Sequence, residues 1–175
     1  MEYLNYFETM AESLTNSEVL SWKNKGGSVM GLLCSGIPEE IIHAAGILPM
    51  RVRAPGVQNT KNADAHLHRI NCSYTRSILE ALLTGQFDFL DGLVTANTCD
   101  HHFRLVSEIE DKSLLRFFHY FRINHTLSKG GKDWLLQEMK KLAHHIEEVF
   151  GTSISKERLR ETITVYNHTR RLMNR

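Results

Sequence analysis

Apolar positions along this chain change their period several times, and the changes mark its elements. Residues 2–12 and 16–24 predict two short helices that end at Gly26-Gly27. "SVMGLLCSG" is an apolar run of strand length, closed by a small-residue turn. "IPEEIIHAAGILP" predicts a helix. Pro38 suits its first turn, Glu39 and Glu40 favour its positive N-terminal end, and Gly46 suits its C-terminal stop. "ILPMRVRA" predicts a second strand, interrupted by Pro49 and therefore near a sheet edge. Residues 56–71 are polar without a clear period and form a long connection.

Helical spacing returns in "SYTRSILEALLTG", where Ile78, Leu79, Leu82 and Leu83 share a face and Gly85 stops the turn. "FLDGLVTAN" is apolar throughout, the mark of a central strand buried on both faces. "CDHHFRLVSEIED" predicts the next helix and the aromatic-rich "SLLRFFHYFRI" a fourth strand. "DWLLQEMKKLAHHIEEVFG" is a long amphipathic helix with Leu135, Leu136, Met139, Leu142, Ile146 and Val149 on one side. Ser155 caps a last helix, whose Leu159, Ile163 and Tyr166 need a surface to pack on. That helix carries no stop signal, so the chain is expected to be a piece of something longer.

Strands alternating with helices predict an α/β fold: a three-layer parallel sheet of about four strands, flanking helices and a C-terminal helical extension. The expected division is residues 1–27 as N-terminal helices, 28–130 as the sheet domain, and 131–175 as helices leading towards a second domain.

Composition narrows the function. Net charge is +1 over 175 residues, which gives no basic surface for nucleic acid or an anionic membrane. No apolar run approaches the roughly 18–20 residues that span a bilayer. The start, MEYLNYFETMAESL, is acidic and amphipathic and lacks the basic and apolar regions of a signal peptide. A cytoplasmic setting is therefore expected, where thiols stay reduced. Three cysteines, an odd number, argue against a disulfide framework.

The three thiols fall at related places. Cys34 closes the first strand, Cys99 follows the third and opens a helix, and Cys72 stands just before a helix. In an open parallel sheet the carboxyl ends of strands and the N-termini of helices share one edge, where ligands bind. Helix N-termini offer free N–H groups and positive potential, which stabilise a thiolate or an anionic cluster. No Cys-x-x-Cys occurs, unlike zinc fingers and ferredoxins. Each cysteine is thus either a small buried hydrophobe or a ligand.

His101 and His102 follow Cys99, but successive helical residues point about 100° apart and do not converge on one ion. His66 and His68 lie in the long connection, and His144-His145, beside Glu147 and Glu148, reads as a solvated face. Cys99 as a helix-start nucleophile is a further reading, with no residue placed to orient a base. "CSGIPEE" is neither a dinucleotide fingerprint nor a phosphate loop.

Three segments carry a resemblance: "LLCSGIPEEIIHAAGILPMRV", "NCSYTRSILEALLTGQFDFLDGLV" and "TCDHHFRL". A Pro-x-Glu leads to Ala-Ala-Gly and a proline; a Cys precedes an Arg-Ser helix; a Leu-Asp-Gly strand leads to a Thr-Cys-Asp turn. In this order the chain resembles the 2-hydroxyacyl-CoA dehydratase and benzoyl-CoA reductase family from about residue 28 onward. "RFFHYFRINH" and "VYNHTRRLM" fit the segments that follow.

The resemblance implies a subunit of two Rossmann-like domains with a 4Fe-4S cluster held by cysteine thiolates. It implies a related second subunit and an ATP-hydrolysing iron–sulfur activator that delivers a low-potential electron. The electron forms a radical on an acyl-CoA thioester, for dehydration or for aromatic ring reduction. Cys72 and Cys99 fall on the first two cluster ligands, and the third belongs to a C-terminal domain. Cys34 is the less expected ligand. Ser35 and Pro38 lie at the expected substrate edge, Arg76 and Arg104 are candidates for a CoA phosphate, and Asp100 is a candidate helix cap. Two rival readings are a double-cluster reductase of small molecules from the same family, which Cys34 as a ligand would favour, and a metal-free assembly partner.

Overall fold

The structure, a computed structural model, describes residues 2–13, 15–112, 114–124, 126 and 128–174. Two helices open it, α1 (Glu2–Glu12) and α2 (Ser17–Asn24). The sheet region follows as β1 (Val29–Leu32), α3 (Glu39–Ala44), β2 (Leu48–Arg51), α4 (Ser73–Leu83), β3 (Gly92–Ala96), α5 (Asp100–Lys112) and β4 (Phe118–Phe121). The chain continues as α6 (Lys129–Phe150) and α7 (Lys156–Met173).

All four strands are parallel, in the order β2-β1-β3-β4. The expected edge position of β2 and central position of β3 both hold. The chain leaves β1 towards β2 on one side and returns to β3 on the other. The order therefore reverses between β1 and β3, and the carboxyl ends of those two strands flank the crevice where such sheets bind ligands.

Alternation along the strands builds two cores. Val29, Leu33 and Leu93 pack with Ile78 and Leu79 of α4 and with Leu105 and Ile109 of α5. Met30, Leu32, Val94 and Phe121 pack on the other face with Ile41 and Ile42 of α3 and with Leu142 and Ile146 of α6. Burying each such side chain stabilises the fold by roughly 1.5–3 kcal/mol. Gly31 sits where β1 crosses the first core; a Cβ there would meet Leu93 and Val52 methyls at 2.7 Å. Leu159 of α7 packs on the second core, and Tyr166 meets His43 of α3 edge-on at 5.7 Å. Leu159 and Tyr166 thus find the surfaces they needed, whereas Ile163 stays exposed.

Some expectations shift. β4 is shorter than the aromatic run, because Leu114 and Leu115 pack on the first core before the strand begins. α6 starts ahead of its periodic stretch and runs through Gly130-Gly131. Ser128 caps it, accepting the Gly131 N–H at 3.1 Å, and a Cβ on Gly131 would collide with the Thr126 carbonyl. His145 does not lie on a solvated face. It packs on Phe117, ring centroids 4.4 Å apart, and meets His119 of β4; His144 and Glu148 are exposed. Among the described residues no helix is long and apolar enough to cross a membrane.

Candidate functional site

The parallel order brings the three cysteines to one edge of the sheet. Cys34 lies two residues beyond β1, not at its end, and adopts the left-handed backbone conformation with φ 67°. A non-glycine residue there costs on the order of 1–3 kcal/mol, which the surroundings must impose. Gly36, two residues on, is also left-handed, and its missing Cβ leaves room for the Ile123 side chain beyond β4. Cys34 is half-buried, Ser35 is exposed, and half-buried Pro38 stands at the start of α3.

Cys72 is the N-cap of α4. Its backbone is extended, and its Sγ accepts the Thr75 N–H at 3.5 Å, with the Thr75 hydroxyl at the same distance. A sulfur in this position takes up the free N–H groups and positive end of the helix. Cys99 is exposed just ahead of α5, and its carbonyl accepts the N–H groups of His102 and Phe103. Asp100 is the first helical residue rather than the cap, because Cys99 already occupies that place.

Around the thiols lie residues that the sequence did not single out for this purpose. His102 is buried, with Nδ1 3.3 Å from both the Thr95 and the Thr98 hydroxyls. Burial is the main cause that holds its imidazole below the usual value, so the ring is neutral there. Tyr74 stacks on His102 and donates its hydroxyl to the Val52 carbonyl at 2.9 Å. Burial raises the Tyr74 phenol, so it remains a donor. Asn97 accepts the Ile123 N–H at 2.5 Å and donates to the Ile123 carbonyl at 3.0 Å, tying the end of β3 to the end of β4. The only signal for these side chains was adjacency to a cysteine or a strand end.

His101 and His102 diverge, as the helical turn dictates. His101 meets Asn71 at 3.4 Å, whereas His102 points inward. His66 and His68 line a polar groove of about 420 Å³ beside the thiols, with Asp100, His101, Arg104 and Glu108 on its other side. His66 faces Glu108 at 3.5 Å. Arg76 is not free for a phosphate. Its guanidinium bonds Asp64 at 2.7 Å and Thr60 at 2.6 Å, which holds the Asp64 carboxyl below its ordinary value and fastens the long connection to α4.

Iron–sulfur clusters take cysteine thiolates, and hydrogen bonds to sulfur tune them. Reduced thiols on one edge, one of them already bonded at a helix start, fit that donor chemistry. Among the described residues no three His, Cys, Asp or Glu side chains are grouped closely enough to hold a metal ion by themselves.

Comparison with known proteins decides the family. Residues 34–175 match the family model described as 2-hydroxyglutaryl-CoA dehydratase, D-component. The chain belongs to this family. It is 29% identical over 171 residues to a benzoyl-CoA reductase subunit of Thauera aromatica, covering 95% of this chain and 44% of that protein. It is 27% identical over 155 residues to the beta subunit of (R)-2-hydroxyglutaryl-CoA dehydratase of Acidaminococcus fermentans, covering 85% and 40%. Against the (R)-phenyllactyl-CoA dehydratase beta subunit of Clostridium sporogenes it is 25% identical over 179 residues, covering 99% and 46%. This dehydratase-family chain thus spans less than half the length of these relatives, and the match takes in all three cysteines.

Proposed function

We propose that this chain is the N-terminal, cluster-binding part of a subunit of a 2-hydroxyacyl-CoA dehydratase or benzoyl-CoA reductase-type enzyme. The observation that carries the reading is the placement of Cys72 and Cys99 at the starts of two adjacent helices, on the edge where the strand order reverses. Cys72 and Cys99 are the proposed ligands of a 4Fe-4S cluster, with Cys34 the less favoured third. A further ligand comes from outside the residues present here, in the second domain that the family resemblance implies. When bound, the cluster supplies single-electron chemistry at low potential.

The chain's own residues prepare that site. The N–H of Thr75 already bonds the Cys72 sulfur at the start of α4, and Cys99 stands exposed at the start of α5. Arg104, exposed on the polar groove, is available to an acyl-CoA phosphate, whereas Arg76 is committed to Asp64. Ser35, exposed beside Cys34, and Pro38 face the proposed substrate edge. The reaction class is radical formation on an acyl-CoA thioester. It needs an ATP-hydrolysing iron–sulfur activator and, as the relatives' names as subunits suggest, a related second subunit in a cytoplasmic, anaerobic setting.

The test is iron and sulfide content after anaerobic reconstitution, for wild type and for Cys34→Ala, Cys72→Ala and Cys99→Ala. The same assay is run on the chain alone and on a version extended by the second half of the Thauera aromatica relative. Loss of iron with Cys72→Ala and Cys99→Ala but not with Cys34→Ala supports the reading. Loss with all three moves Cys34 into the ligand set and favours the double-cluster reductase. No iron in any version overturns the cluster and leaves the chain as a metal-free assembly partner.

A further inference from the structure

The two cysteines are joined by the residues beside them. Asn71, immediately before Cys72, meets His101, two residues after Cys99, at 3.4 Å. Tyr74, two residues after Cys72, stacks on His102, three residues after Cys99, with ring centroids 6.0 Å apart and planes 20° from parallel. His101 and His102 leave α5 in different directions, so the two contacts grip the starts of α4 and α5 at different points rather than through a single hinge.

Both members of the inner contact are anchored at their far ends. His102 is 2% exposed, and its Nδ1 reaches the hydroxyls of Thr95, in β3, and Thr98, the residue before Cys99. Tyr74 donates its hydroxyl to Val52, just past β2. A row of contacts therefore runs from β2 through Tyr74 and His102 into β3 and the Cys99 turn. The row runs from the end of β2 to β3 on the face covered by α4 and α5, beside the two helix starts.

We propose that His102 and Tyr74 are positioning residues that hold Cys72 and Cys99 at a set spacing before any cluster binds. Sites that bind a group through several donors gain when the donors are held in place beforehand, since less order is lost on binding. Helix starts otherwise fray, and Cys99 is exposed on the surface. The functional meaning rests on the reading of these two thiols as paired ligands. The spacing itself does not, and it is measurable without iron.

The experiment uses the full 175-residue chain carrying Cys34→Ser, with nitroxide labels on Cys72 and Cys99, and reads the distribution of inter-label distances by dipolar EPR. Variants are His102→Leu and Tyr74→Leu, which remove the stack, and Tyr74→Phe, which keeps the stack and loses the Val52 bond. Leu142→Ala serves as a control: it opens a cavity in the core on the opposite face and lowers stability without touching the row. The expected result is a narrow distribution in the parent and in Leu142→Ala, a broad one in both leucine variants, and an intermediate one in Tyr74→Phe. If His102→Leu does not fold, the Tyr74 pair decides. An unchanged width in the leucine variants overturns the proposal, as does equal broadening in Leu142→Ala, which would mean that width follows stability alone. Iron retained by Cys72→Ala and Cys99→Ala would remove the ligand reading and leave the distance result standing.

Discussion

His119 of β4 and His145 of α6 face each other with their Nδ1 atoms 3.2 Å apart, one donating to the other. The pair lies against Phe117, whose ring is 6.4 Å from His119 and 4.4 Å from His145. From α6, Glu138 and Lys141 also act on His119, and the Nε2 atom of His119 is buried without a partner. Such a contact needs at least one neutral ring, so it holds the edge strand to its covering helix only while the site resists protonation.

Acid lability follows from this. Burial first, then the neighbouring His145, pushes His119 from the usual 6.5 down to about 4. The unfolded chain therefore binds a proton more readily than the folded one. The stabilisation is present above pH 6.5 and is lost as pH falls from 6.5 towards about 4. Urea midpoints across that window are expected to fall for wild type and to fall less for His119→Gln. Parallel curves would remove His119 from the account.

Glu80 anchors the long connection that delivers Cys72. It is 5% exposed, accepts the Ala63 N–H at 2.8 Å and the Asn62 amide at 2.7 Å. Glu80→Ala strands the buried Ala63 donor and is expected to destabilise the chain by about 1–3 kcal/mol. Chemical denaturation measures the loss, and limited proteolysis should show earlier cleavage within residues 56–71.

Asn97 closes the edge of the site by exchanging two hydrogen bonds with Ile123. Asn97→Ala is expected to cost about 1–2 kcal/mol. Asn97→Asp should not rescue it, because a carboxylate keeps the acceptor for the Ile123 N–H but faces the Ile123 carbonyl with no donor. Thermal melts of the two variants make the comparison; recovery in the aspartate variant would show that the acceptor alone matters.

Gly31 tests the packing of β1. A methyl group there meets side chains of Leu93, Val52 and Leu90, all within 2.9 Å. Gly31→Ala is expected to destabilise by about 1–3 kcal/mol through overpacking. An unchanged denaturation midpoint would mean that this core relaxes freely.

The division between sequence and tertiary structure follows the range of the forces involved. Period, caps and breakers act over a few residues, so the chain by itself determined the alternation of strands and helices, the edge place of β2 beside Pro49, the cap at Ser155 and the common edge of the three cysteines. Its motifs determined the family. Local reading failed where a partner arrives from far along the chain. His145 looked solvated because its neighbours Glu147 and Glu148 are polar, yet a strand 26 residues earlier brings His119 and Phe117 against it. Arg76 looked free until Asp64 and Thr60 folded onto it, and Asp100 looked like a cap until Cys99 took that place. The periodic stretch from Asp133 marked the long helix, yet α6 begins at Lys129 and takes in Gly130-Gly131, because Ser128 caps it and the Thr126 carbonyl leaves no room for a larger residue at 131. Only the packing of α4 beside α5 decided that Tyr74 meets His102 and Asn71 meets His101, because side-chain contacts between helices depend on rotation and spacing that no local period encodes.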